Sequence, residues 1–412
     1  MRLSETEQAL MKAFEEFEVV DAHEHLGPER DRTSAKVDAL LLFSHYVRTD
    51  LITSGMRPEH YEAMHNRNYP LDYRWNLLKP YLEHIRYGSY ARPAFIAAKE
   101  LYGFDDINDD TYRPLSEEMQ NQNTPGIYNR LLREKCRIRY ALTQCGRTDL
   151  EDDVLVPLMH AGVYCQVLSW SEIAARACEL GERVETLDDL VHITDKGLAK
   201  WKSEGAVGVK MTSQPYGEPN RAEAMSAFDS LRRGEVEQLP DMNPLRDYML
   251  EQMLRLAAEH DLVVAVHAGM WGDFRQLASQ HMIPVFMRNP KTRFDLYHMG
   301  MPDVRTTGVI GKNFPNVWLN LAWTHIISPA MTRSALDEYI DMVPMNKIIG
   351  FGADYHLVDK IYGHLVMARE NIAWVLGARI DDGLMTEEQA INIARKWFFD
   401  NPMELYGLEE RG

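Results

Sequence analysis

Short apolar runs alternate along this chain with longer stretches of helical periodicity. Eight such runs stand out, at residues 17–26, 137–144, 162–170, 206–211, 262–269, 293–300, 316–323 and 347–356. Continuous apolar runs of this length mark strands covered on both faces, and the later intervals are long enough for the crossover helices that parallel strands require. Eight βα repeats predict an α/β fold of the closed (β/α)₈ TIM-barrel type, with an open doubly wound sheet plus a helical domain as the alternative. The interval between the first two runs breaks the rhythm. Residues 37–55 and 75–88 have helical apolar spacing, with Pro70, Pro80 and Pro93 as punctuation. The chain therefore divides into a barrel at 1–35 and 136–412 and a helical insertion subdomain at 36–135 that covers the C-terminal barrel mouth. A second insertion, 213–243, is expected at the same mouth, and 401–408 caps the closing helix.

Barrel enzymes place their active sites at the C-terminal ends of the strands, so polar residues that terminate apolar runs are candidates for chemistry. The first run ends in His23, Glu24 and His25, the fourth in Lys210, the fifth in His267, the sixth in His298 and the eighth in Asp354. Alternate strand residues share a face, so His23 and His25 project together while Glu24 turns toward the helices. A single strand-end histidine is ordinarily a hydrogen-bonded core residue. Convergence changes that reading, because His23, His25, His267 and Asp354 together supply the imidazole and carboxylate donors that Zn²⁺, Mn²⁺ or Fe²⁺ accept. One Zn²⁺ is the expected ion, with Mn²⁺ or Fe²⁺ as alternatives. Such a site keeps an open position at which bound water loses much of its proton affinity, and Asp354 is placed to take the proton. In the insertion, Arg48 and Arg86 (with Arg74 and Arg92) are candidates for binding a substrate carboxylate. Trp271 and Arg275 follow the fifth run and are candidate substrate-binding residues, while Trp323, His325 and His356 are possible pocket walls.

Composition narrows the partner rather than the fold. With 412 residues, 45% hydrophobic and 26% charged, the chain has an ordinary globular make-up. Its formal charge of -17 disfavours nucleic acid and anionic membrane surfaces, leaving a small molecule as the expected partner. Four cysteines without short paired spacing read as reduced thiols, and no run of about 18 apolar residues occurs. The expectation is a cytoplasmic homo-oligomer.

The order and strand position of these motifs resemble the amidohydrolase superfamily: residues 20–26 for the first-strand histidine pair, 266–269 and 296–300 for the fifth- and sixth-strand histidines, and 351–356 for the eighth-strand aspartate. Residues 401–408 are similar to the closing segment of the amidohydrolase 2 branch. The resemblance implies a metal-dependent hydrolase in which His23, His25, His267 and Asp354 touch metal. Asp354 and His298 would be catalytic, with His298 facing the substrate, and Lys210 is a possible carboxylated bridge to a second ion. Residues 43–55, 73–88 and 127–144 resemble the uronate isomerase family in order and character. At the eighth strand, however, the Thr-Asp-Ser-Arg-Ser-Phe type signature of that family is replaced by residues 353–358, and its members lack a counterpart of His298. The activity implied is hydrolysis of a small anionic or hydroxylated substrate, with isomerisation of a uronic acid or decarboxylation at the same site as the alternative. A non-catalytic scaffold would leave the converging strand ends without a purpose.

Overall fold

The computed structural model describes residues 3–166 and 168–408. Eight parallel strands follow one another round a single sheet in chain order: β1 (Val19–Glu24), β2 (Ile138–Thr143), β3 (Leu155–His160), β4 (Gly208–Thr212), β5 (Val263–His267), β6 (Phe294–Leu296), β7 (Val317–Asn320) and β8 (Ile348–Ile349). The circle closes beyond the end of β8, where Phe351 O accepts from Ala22 N at 3.1 Å, His23 O from Asp354 N at 2.8 Å and Tyr355 O from His25 N at 3.1 Å. This is the (β/α)₈ barrel that the apolar runs predict. All six residues of β1 are buried, as expected where helices cover the outside and side chains fill the inside.

One predicted strand is wrong. Residues 162–170, of which residue 167 lies outside the described residues, were expected to form the third strand. Instead Gly162–Cys165 is a short helix and the strand is Leu155–His160. Pro157 disguises it, because a proline inside an apolar run ordinarily argues against a strand. The ladder tolerates it here because the site uses only its carbonyl, which accepts from Val207 N at 3.1 Å.

Between β1 and β2 every regular element is helical, from Glu29–Thr33 to the π-helical turn Asn129–Lys135. Arg92–Tyr102 packs on the long Ile361–Asp381 helix that follows β8. Contact there is close enough that a Cβ on Gly363 would meet Pro93 O at 2.6 Å. A buried ion pair, Arg32 Nη2 to Asp359 Oδ1 at 3.0 Å with Tyr102 donating to the same carboxylate, fixes the chain leaving β1 to the chain leaving β8. The second insertion carries the Arg221–Arg232 helix, which packs on the outer helix Pro244–Glu259. Among the described residues no helix is long and apolar enough to cross a membrane.

Candidate metal centre

The parallel register carries the ends of β1 and β8 to the same level of the barrel. There His23 Nε2 and His25 Nε2 stand 3.3 and 3.2 Å from one oxygen, Asp354 Oδ1. One donor atom from each of the three residues falls within 4.8 Å of the others. His25 Nδ1 donates to Gln144 O at 3.1 Å, so in the neutral ring the lone pair sits on Nε2 and faces the carboxylate. Lys210 Nζ donates to His23 Nε2 at 2.8 Å, which puts a lone pair there too. Acceptors held face to face at such distances repel unless a proton or a cation lies among them.

A second histidine pair adjoins the first. His298 Nδ1 donates to Ala322 O at 2.9 Å, leaving its Nε2 lone pair toward His267 Nδ1 at 3.0 Å and Asp354 Oδ2 at 3.8 Å. His267 Nε2 is buried and meets no hydrogen-bond partner. Burial pushes His23 down to about 3 and, together with the Lys210 charge, His267 down to about 4, so both rings are neutral and keep lone pairs for a cation. For Asp354 burial alone would favour the protonated acid, but charge and hydrogen bonds from His23 and then His25, acting when a proton lies among the three groups, hold the carboxyl well below its usual range. Burial lowers Lys210 to about 8, against the opposing fields of Asp354 and Asp295. The chemistry of this donor set fits a divalent ion held by histidine nitrogen and carboxylate oxygen.

Strained backbone surrounds these groups. Asp354, His298, Trp323 and His45 all have left-handed φ, at 60°, 65°, 66° and 62°. Each such residue costs on the order of 1–3 kcal/mol and persists where its surroundings over-determine it. At Asp354 the determinants come from β1: Asp21 Oδ1 accepts from Ala353 N at 3.0 Å and Glu24 Oε2 from Tyr355 N at 2.9 Å. Glu24 thus lies buried in the seam between β1 and the chain after β8, not out among the helices as its strand position implied. Gly352 is required in this seam, since a Cβ there would meet Ala322 Cβ at 2.6 Å and His23 N at 3.0 Å.

The cavity above this cluster has a volume of about 420 Å³, and residues 186–408, more than half of the chain, match the amidohydrolase family model. The chain belongs to the amidohydrolase family. Its sequence is 21% identical to uronate isomerase of Thermotoga maritima over 262 residues, 58% of each chain, and 25% identical to the FluG protein of Emericella nidulans over 177 residues, 41% of this chain and 20% of that one. The matches thus span little more than half of one relative and a fifth of the other. The fold is shared over a greater length. The crystal structure of the Thermotoga maritima uronate isomerase superposes with a TM-score of 0.80 at 17% identity, covering 98% of this chain and 100% of that one. Glucuronate isomerase of Caulobacter crescentus gives 0.80 at 15% identity, covering 99% and 95%.

The cavity of this amidohydrolase brings together His23, His25, Lys210, His267, Trp271, His356 and Asp354. Trp271, 63% exposed, stands at its rim. His298 is fully buried directly behind His267 and does not line the cavity. The arginines lie elsewhere. Arg48 stands over the Tyr61 ring and 3.9 Å from Glu62, Arg86 pairs with Glu83 and Asp106, and Arg275 pairs with Asp273 at 2.7 Å on the surface. Arg74 and Arg92 are likewise taken, by Asp38 and Glu370. Trp323 stacks on Tyr46 with centroids 4.3 Å apart, and His325 Nε2 donates to Gly350 O inside the core.

Six wall residues were not singled out in the sequence, Gln144, His160, Thr212, Leu277, His45 and Tyr46, although the aromatic and Arg content of residues 44–48 marks that segment as suited to an anionic, hydroxylated ligand. His160 carries the same signal as the others, a polar residue ending an apolar run, and was hidden with its strand. His45 and Tyr46 reach the cavity from the insertion because the left-handed turn at His45 aims them inward. Their signal was the polar segment 44–46 that follows the apolar stretch 39–43.

Proposed function

We propose that this amidohydrolase is a metal-dependent hydrolase of small anionic or hydroxylated substrates. The observation that carries the reading is the facing of the His23 and His25 lone pairs on the Asp354 carboxylate, with Lys210, His267 and His298 adjoining. His23, His25, Asp354 and His267 would hold the ion, and Lys210, whose ammonium burial destabilises, would add a bridging ligand if carboxylated. When bound, a divalent ion such as Zn²⁺, Mn²⁺ or Fe²⁺ supplies Lewis acidity and makes water a stronger acid. Asp354, held ionised, accepts a proton from the attacking water and returns it to the leaving group. His298, with its tautomer set by Ala322 O, keeps His267 in place. His45, Tyr46 and Trp271 wall the cavity and orient the substrate.

One observation favours a second reading, isomerisation of a uronic acid. The likeness to the uronate isomerase fold extends over nearly the whole chain, and the insertion that the likeness includes delivers His45 and Tyr46 to the cavity. Turnover of a panel of lactones, amides and uronic acids in ¹⁸O-labelled water separates the two. Hydrolysis incorporates solvent oxygen stoichiometrically, whereas a ketose formed from a uronic acid without net incorporation at the carboxylate would establish the second reading.

A further inference from the structure

On the outside of the barrel, the helices Glu5–Glu15, Arg92–Tyr102 and Ile361–Asp381 meet the turn Asn129–Lys135 around a cavity of about 530 Å³ that shares no residue with the metal pocket. Arg369 stands in its wall. The residue is only 4% exposed, yet Nε and Nη2 of its guanidinium meet no acceptor. A buried charge without a partner is strongly destabilising, and folded proteins rarely leave one so. Four carboxylates, those of Glu15, Glu100, Glu134 and Glu370, border the cavity against five cations, and none is in an ion pair with Arg369. Arg137 lines the same cavity and forms no ion pair among the described residues, while Lys135 Nζ lies 4.5 Å from the centroid of the Tyr362 ring instead of on a carboxylate. Glu370 is occupied by Arg92 at 2.7 Å. Glu15 borders the cavity but is not within ion-pair distance of Arg369. Burial holds the Arg369 guanidinium below its usual pKa, opposed by Cys136, Glu15 and Tyr362 and aided by Arg137.

The Nε–Nη2 edge of a guanidinium is the two-donor fork that planar carboxylates and phosphates accept bidentately. We propose that this cavity is a second ligand site, which binds the carboxylate or phosphate group of a small molecule at the Arg369 guanidinium, a small shift of the wall opening its sealed Nε–Nη2 edge, with Arg137 and Lys135 as flanking charges. The overall charge of -17 repels anions, so a saturable response to one reports a local site.

The test uses the full chain at constant ionic strength, replacing chloride with inorganic phosphate in one arm and succinate in the other, read by thermal melting and calorimetry. Saturable stabilisation by phosphate, succinate or both is expected, and the more effective arm identifies the oxyanion. Arg369→Met should weaken that binding at least about tenfold, the loss of a charge-assisted hydrogen-bonded pair. In chloride alone the same variant should melt no lower than wild type, because it removes an unpaired buried charge. Absence of a saturable response to either anion overturns the proposal. So does an unchanged response in Arg369→Met, which would place the anion in the metal pocket. Should Arg369→Met fail to fold, Arg137→Met takes its place: a severalfold weaker response upholds the site, and an unchanged one overturns it.

Discussion

The two walls of the metal pocket are built on different physical terms. The barrel wall is made of strand ends fixed by backbone carbonyls and buried carboxylates: Gln144 O sets His25, Ala322 O sets His298 behind the wall, and the Asp21 and Glu24 carboxylates hold the amides on either side of Asp354. The insertion wall is made of helices and turns whose long cations are already neutralised by their own carboxylates, and it reaches the cavity through two aromatic rings, His45 and Tyr46. The difference assigns the tasks. A preorganised wall can hold an ion and a developing charge, while an adaptable wall sorts substrates.

The largest effect should follow from breaking the barrel wall. Asp354→Asn and the double variant His23→Ala/His25→Ala should lower kcat/KM by about three orders of magnitude or more. Metal content by plasma mass spectrometry should fall to background in the double variant, with the melting temperature lowered by about 5 °C or less. Full metal occupancy in that variant would remove the basis of the site. A smaller effect is expected one layer back. His298→Asn should retain the ion and lose about 10–100-fold in turnover, the usual cost of losing a group that orients a ligand. Loss of ion and activity together would make His298 a ligand itself.

The same contrast explains what could be read from the sequence. The barrel was legible because parallel strands buried on both faces are written as apolar runs, and the metal group because a polar residue at the end of such a run has few other uses. His160 shows how local the rule is, since one proline hid both strand and histidine. Arg48, Arg86 and Arg275 show where it stops. A guanidinium is visible in sequence, but the carboxylate that occupies it is not, whether Asp106 twenty residues from Arg86 or Glu62 across a turn from Arg48. Nor does any periodicity announce a left-handed residue such as His45, whose conformation decides that its ring and not a neighbouring arginine enters the cavity.

That last point is testable at intermediate magnitude. His45→Ala should raise KM about tenfold with a smaller change in kcat, because the ring lines the cavity and is not among the proposed metal ligands. Arg48→Met and Arg86→Met should each change KM less than about threefold, since exposed ion pairs outside the cavity contribute little. A large, carboxylate-dependent loss in either arginine variant would instead show the insertion closing over the substrate and carrying its cations inward.

An effect on stability and not on turnover lies at the seam between the walls, where Lys360, fully buried in the chain that follows β8, donates to Ser44 O at 2.8 Å beneath the turn at His45 and stands 4.6 Å from the centroid of the Tyr355 ring. Burial pushes its ammonium down to about 7, while Asp359 opposes the shift. In the unfolded chain a lysine keeps its proton to about pH 10.4. Between these values the unfolded state binds the proton and the folded state does not, so this residue makes stability rise with pH from about 7 toward 10, by at most about 1.4 kcal/mol per pH unit. Below pH 7 both states are protonated and the penalty is constant. Lys360→Met removes the difference. Urea unfolding of wild type and variant across pH 6–10 should therefore show the variant more stable by a constant margin below pH 7, with the margin shrinking as pH rises. Parallel curves would mean that Lys360 stays charged in the fold, and that an anionic partner at the seam holds the two walls together more tightly than a hydrogen bond to a carbonyl can.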